Sequence, residues 1–183
     1  MAALEAADCE MAARDAADVA DAPKPFALDA SRARYAYPLS VAPMMAVTDR
    51  HWRYMGRLLS RRTLLYTEMV VDSALTHNAH QLGDARFLGH SPSEAPIAVQ
   101  LGGNDAEHLG RAAALCRDFL GAAMVELNLN CGCPSNIVAE KHEFGARLMT
   151  NPENVRRIVG ELSRVCPKIP ITVKHRLGTD LSG

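Results

Sequence analysis

Five short apolar runs separated by stretches of helical spacing limit what this chain can fold into more than any other feature. They are Leu39 to Met44, Leu64 to Met69, Ile97 to Leu101, Ala123 to Leu129 and Ile169 to Lys174. Short strands that are apolar on both faces belong to parallel sheets covered by helices, with a right-handed crossover between successive strands. The class is therefore α/β.

The intervening segments carry their own start signals. Thr48 or Asp49 is placed to cap a helix that puts Trp52, Met55, Leu58 and Leu59 on one side. Arg50, Arg53, Arg57 and Arg61 lie at spacings near one face of the same helix. They form either the solvated face of an outer helix or a phosphate-facing stripe. Asn104 reads as the cap of a second helix, on which Leu109, Ala112, Ala113 and Cys116 share a face. Asn151 and Pro152 open a third, with Asn at the cap and Pro at the first helical position.

Periodicity alone does not separate a closed barrel from an open doubly wound sheet, but the polar residues do. Glu68, Gln100, Asn128, Asn130, Lys174 and Arg176 fall at or just beyond the carboxyl ends of different strands. A (β/α)8 TIM-barrel gathers its active site from many strand ends in this way, whereas an open sheet concentrates its ligands at one switch point. The expectation is a TIM-barrel type with about five of its eight strand-helix units in this chain. Such a partial barrel leaves two parallel edges to be covered.

Residues 1–37 read as a separate acidic, Ala-rich and poorly ordered extension, and residues 38–183 as the barrel part. The first thirty residues hold seven acids against two bases, which leaves 18 basic against 14 acidic residues over the rest. That surplus is compatible with a polyanionic partner without requiring one. Five cysteines without framework spacing argue for a reducing compartment rather than a secreted disulfide scaffold. No apolar run approaches a membrane span, and the acidic opening segment is unlike an organelle transit peptide or a secretory signal, so the cytoplasm is expected.

The most specific segment is Leu127-Asn-Leu-Asn-Cys-Gly-Cys-Pro-Ser135, followed by Phe144-Gly-Ala-Arg-Leu-Met149. Val41-Ala-Pro-Met-Met45, Tyr66-Thr-Glu-Met69, Val99-Gln-Leu-Gly-Gly103 and Val173-Lys-His-Arg-Leu-Gly178 accompany it, each at a strand end. With these motifs in this order, the chain from about Leu39 onward resembles the tRNA-dihydrouridine synthases, and among them the dihydrouridine synthase A-like branch. The resemblance implies an FMN-binding TIM barrel followed by a small helical domain. It also implies reduction of the uridine C5=C6 bond in the tRNA D-loop, with NADPH recharging the flavin.

The resemblance assigns roles residue by residue. Cys133 matches the proton donor to C5, while reduced FMN gives hydride to C6. An unperturbed cysteine thiol, of pKa about 8.5, is mostly protonated at neutral pH and can act as a general acid within hydrogen-bond reach. Pro43, Met44 and Met45 match residues packed against the isoalloxazine, Gln100 the amide on its polar edge, and Lys174 the cation near N1 and O2. Asn130 and Arg176 match residues used toward the flipped uridine and its tRNA. Glu68 and Asn128 are expected to support these groups.

Two positions depart from the family pattern. Cys131 stands where an apolar residue is usual, and Arg147 where the branch commonly has a small residue or cysteine. Cys131, Cys133 and His142 do not complete a four-ligand set, so no metal is expected. The family's flavin-phosphate grip, a second cofactor-contacting histidine and the helical tRNA-binding domain are expected beyond position 183. Two other readings fit the residues: an FMN barrel acting on a free pyrimidine, like dihydroorotate dehydrogenase, and a truncated, non-catalytic fragment.

Overall fold

The computed structural model describes residues 37, 39–84, 86–135 and 143–178, so the acidic extension up to residue 36 and His142 lie outside the described residues. Five strands, β1 (Leu39–Val41), β2 (Thr63–Val71), β3 (Ile97–Gly102), β4 (Met124–Cys131) and β5 (Ile171–His175), form one parallel sheet. Their order in space is their order in the chain. An open doubly wound sheet reverses direction at a switch point, whereas here every crossover steps the same way. Sequential order is the topology of a closing barrel, and these strands are five of its staves.

Among the described residues four α-helices accompany them: α1 (Arg50–Leu59), α2 (Asp72–His77), α3 (Ala106–Leu120) and α4 (Pro152–Val165). The outward faces of the strands and the inward faces of α3 and α4 share one apolar core. Val99, Leu101, Leu127 and Leu129 meet Leu109, Ala112, Ala113, Cys116, Ile158 and Leu162 there, all fully buried. Each large aliphatic side chain so buried contributes about 1.5–3 kcal/mol relative to exposure. The face expected on α3 is the one that packs.

Two helix starts follow the sequence reading and one does not. Asp49 caps α1 by accepting the Trp52 N–H at 2.8 Å, while Thr48 turns back to the Met44 backbone. Asn151 caps α4 with Pro152 in its first turn. The cap of α3 is Asp105, which accepts the His108 N–H at 2.8 Å, not Asn104. Asn104 stands one residue too early, and its carbonyl accepts from the Asn154 side chain instead.

The larger correction concerns α1, whose buried residues are Arg53, Gly56 and Arg57. Leu58 and Leu59, expected to pack, are 71% and 80% exposed. Arg53 and Arg57 are neither solvated nor free for phosphate. Arg53 donates to Glu94 Oε2 at 2.8 Å and to the carbonyls of Thr48 and Gly89. Arg57 donates to the carbonyls of Glu94, Pro96, Ser60 and Thr63. Guanidinium groups were chosen over leucines on this face because the loop before β3 offers a cluster of carbonyls and one carboxylate, which only a multi-donor group can satisfy.

Along each strand, parity divides outside from inside. On β4, Leu127, Leu129 and Cys131 face the helices, while Glu126, Asn128 and Asn130 turn the other way and bond to residues of neighbouring strands. The interior of this barrel is thus polar over several layers, where Val, Ile and Leu usually dominate.

Candidate active site

At the carboxyl ends of the strands a cavity of roughly 270 Å³ is lined by Pro43, Met45, Met69, Gln100, Asn130, Gly132, Cys133, Pro134, Lys174 and Arg176. Seven of the eight residues singled out from the sequence line this one hollow: Pro43, Met45, Gln100, Asn130, Cys133, Lys174 and Arg176. Met44 is not among the lining residues; its backbone N–H and carbonyl are both engaged by Thr48.

Each strand delivers its residue for a local reason. β2 gains one residue against β3, so that Tyr66 pairs with Ala98 but Met69 with Gln100. The Thr67 hydroxyl accepts the Gln100 N–H at 3.1 Å within this bulge. Bulges re-aim side chains, and this one brings Met69 to the cavity wall. At the end of β3, a Cβ on Gly102 would fall 2.9 Å from the Met69 sulfur and 2.7 Å from the Phe144 ring, and one on Gly103 would meet the Asp72 carboxylate at 2.6 Å. A side chain at either position would force Met69, Phe144 or Asp72 to shift.

The β1 loop is held from β2. Ala46 adopts φ 58°, a left-handed conformation that costs a non-glycine residue about 1–2 kcal/mol, and its N–H donates to Glu68 Oε1 at 2.5 Å. Glu68 therefore fixes the segment that carries Pro43 and Met45, rather than Asn130 and Arg176, which it was expected to support.

The Gly-Cys-Pro turn is anchored on both sides of the thiol. Asn130 Oδ1 accepts the N–H of Gly132 at 3.1 Å and of Cys133 at 3.0 Å, and the Cys133 carbonyl accepts the Ala146 N–H at 2.9 Å. Arg176 Nε donates to the Gly132 carbonyl at 2.8 Å, which ties the end of β5 to the same turn. Asn130 also donates to Gln100 Oε1 at 2.9 Å, and Gln100 donates to Asn128 Oδ1 at 2.8 Å. Asn130 and Lys174 are register partners on β4 and β5, so carboxamide and ammonium stand side by side. Among the described residues no carboxylate pairs with Lys174.

The two cysteines of the C-x-C pair have opposite fates. Cys133 lines the cavity, whereas Cys131 is buried in the helix-facing core, where burial pushes its thiol up to about 11. Cys131 thus does the packing work of the apolar residue it replaces. Among the described residues no group of three or more His, Cys, Asp or Glu side chains could hold a metal ion. Arg147 is exposed, on the 3-10 helix Gly145–Thr150, and its replacement of a smaller residue disturbs no packing.

This geometry coincides with a clear likeness to known proteins. The family model described as dihydrouridine synthase (Dus) matches residues 40–183. The chain belongs to the dihydrouridine synthase family. Curated relatives described as tRNA-dihydrouridine(20/20a) synthases include that of Synechocystis sp., 48% identical over 143 residues, covering 78% of this chain and 40% of the relative. The Pseudomonas putida protein is 50% identical over 140 residues, 76% of this chain and 39% of its own length. The Xanthomonas axonopodis pv. citri protein is 47% identical over 156 residues, 84% and 44% respectively. The chain spans about 40% of the length of the curated relatives it matches.

Within this dihydrouridine synthase chain, sequence reasoning missed Met69, Gly132 and Pro134 as lining residues, although all three lie in the motifs that carry the resemblance. Met69 was hidden by the bulge, which breaks the two-residue alternation used to assign faces. Tyr66, Glu126 and Thr172, beneath the cavity, were also missed. Their signal was parity: Glu126 lies two and four residues before Asn128 and Asn130 on the same side of β4.

Proposed function

We propose that this chain carries the flavin-facing and proton-donating part of a tRNA-dihydrouridine synthase, acting with FMN and with NADPH as reductant. The observation that supports this most is the convergence of Cys133, Gln100, Asn130 and Lys174 from three strands on one cavity. The names of the relatives point to uridines 20 and 20a of tRNA as the positions modified.

The lining residues fit an isoalloxazine. Pro43, Met45, Met69 and Pro134 offer apolar walls for a flat ring, while the Gln100 carboxamide and the Lys174 ammonium suit the nitrogen and oxygen atoms of its edge. FMN, when bound and reduced, supplies the hydride for uridine C6. Lys174, on the cavity wall, would offer its ammonium to the negative charge of the reduced ring system. Cys133 gives its thiol proton to C5, its backbone held on one side by Asn130 and on the other by the Gly145–Thr150 helix. Arg176, exposed at the edge of the cavity, and the second amide hydrogen of the buried Asn130 are offered to the nucleotide.

A flavin titration of the purified protein, followed by absorbance, separates a catalytic from an inert barrel. An NADPH-consumption assay with tRNA against free uracil separates tRNA modification from free-pyrimidine reduction. The reading requires a flavin spectrum and consumption with tRNA alone. Consumption with uracil but not tRNA would replace it with the free-pyrimidine reading.

A further inference from the structure

The polar interior beneath the cavity is a single connected chain. Gly132 and Cys133 donate to Asn130 Oδ1, Asn130 donates to Gln100 Oε1 and Gln100 to Asn128 Oδ1. Asn128 Nδ2 then donates to Thr172 Oγ1 at 2.7 Å, and the Thr172 hydroxyl donates to Glu126 Oε1 at 2.6 Å. Tyr66 donates its phenol to the same carboxylate oxygen. Tyr66 and Glu126 are both register partners of Ala98, so they reach each other over a single methyl group.

Both ends of this chain are chemically one-way. At one end two backbone N–H groups can only donate, and at the other the Glu126 carboxylate oxygen accepts from both Thr172 and Tyr66. Between them lie three carboxamides, each of which has two nearly isosteric orientations with donor and acceptor exchanged. Only one orientation of each satisfies both ends. A flip at any link would set donor against donor or acceptor against acceptor, inside a barrel where no described buried side-chain polar atom lacks a partner.

We infer that Glu126 and Thr172, beneath the cavity, are positioning residues whose hydrogen bonds set the orientation of Gln100 and Asn130 and thereby hold the Cys133 turn. Gln100 thus shows a fixed pattern of donor and acceptor to whatever occupies the cavity, and the Cys133 backbone is held at a fixed depth. The inference rests on the proposed function for the role of Cys133, but its test uses neither flavin nor tRNA.

The test is backbone amide hydrogen exchange by NMR on the full chain without added cofactor. In Thr172→Val, which keeps the shape and removes the hydroxyl, Gly132 and Cys133 exchange faster by about tenfold or more while Leu101 and Leu129 in the strands are unchanged. Thr172→Ser, which keeps both the acceptor and the donor in place, stays at the wild-type rate, whereas Glu126→Gln, whose carboxamide can turn a donor toward Thr172, exchanges faster at the same two amides. Wild-type exchange at Gly132 and Cys133 in Thr172→Val, or an equal rise at all four amides, would overturn the inference. Should that variant not fold, the wild-type side-chain amides of Gln100, Asn128 and Asn130 decide. Slow solvent exchange at all three supports the chain, and free exchange at any one breaks it.

Discussion

The Glu68 carboxylate accepts the backbone N–H of Ala46 across 22 residues of sequence, and so the end of the second strand holds the loop that leaves the first. That loop carries Pro43 and Met45 into the cavity with Ala46 in a left-handed conformation. Glu68→Ala removes a charge-assisted bond worth about 1.5–3 kcal/mol and is expected to weaken flavin binding roughly tenfold. Glu68→Gln, which retains the acceptor, is expected to lose much less. Fluorescence titration with FMN measures both.

The Arg53 and Glu94 pair is buried, with side chains 4% and 0% exposed, and burial holds the Glu94 carboxyl above its usual range against the opposing pull of Arg53. Arg53→Met leaves that buried carboxyl without its counter-charge and with the Ser91 N–H as its remaining partner, and the expected loss in stability is about 3–5 kcal/mol. A carboxyl whose folded pKa is raised is favoured when protonated. The penalty is therefore smallest below the unfolded value of 4.5 and grows as pH rises through the folded one. Urea denaturation of the variant and the wild type at pH 4 and pH 7 reads the difference. A pH-independent loss would contradict the pairing.

Cys131 gives a second pH dependence, at the alkaline end. Its thiol is raised from an ordinary 9.0 to about 11 by burial, so its contribution is complete below pH 9 and lost as pH rises toward 11. The loss amounts to about 3 kcal/mol at most. Cys131→Val, which restores an apolar residue, is expected to flatten the stability profile between pH 9 and 11 relative to the wild type, read by chemical denaturation at both values.

Lys174 stands beside Asn130 at the cavity mouth with no carboxylate partner among the described residues. Removing its charge with Lys174→Met is expected to make the bound flavin harder to reduce. A loss of about 1.4 kcal/mol corresponds to a shift on the order of 30 mV for a two-electron couple. Spectroelectrochemical titration gives the potential directly.

Much of this architecture was legible because strand ends and turn residues are local. Gln100, Asn130, Cys133 and Lys174 each follow an apolar run, and their parity places them together once the runs are parallel. What resisted reading was decided by distant partners. The orientation of α1 depends on carbonyls some forty residues away that only Arg53 and Arg57 can satisfy, so a pattern of Met55, Leu58 and Leu59 at helical spacing pointed to the wrong face. Met69 depended on a bulge, which no alternation rule anticipates. Glu126 and Thr172 are ordinary polar residues in their own strands and acquire meaning only through the chain of bonds between them.

The role of the Cys133 thiol is tested most directly by quantifying dihydrouridine in tRNA by mass spectrometry, with wild-type protein and with Cys133→Ala matched for bound FMN. Loss of dihydrouridine formation with the flavin spectrum retained is the expected result. Near-normal dihydrouridine from the alanine variant would mean that another group protonates C5, and the assignment of Cys133 would be wrong.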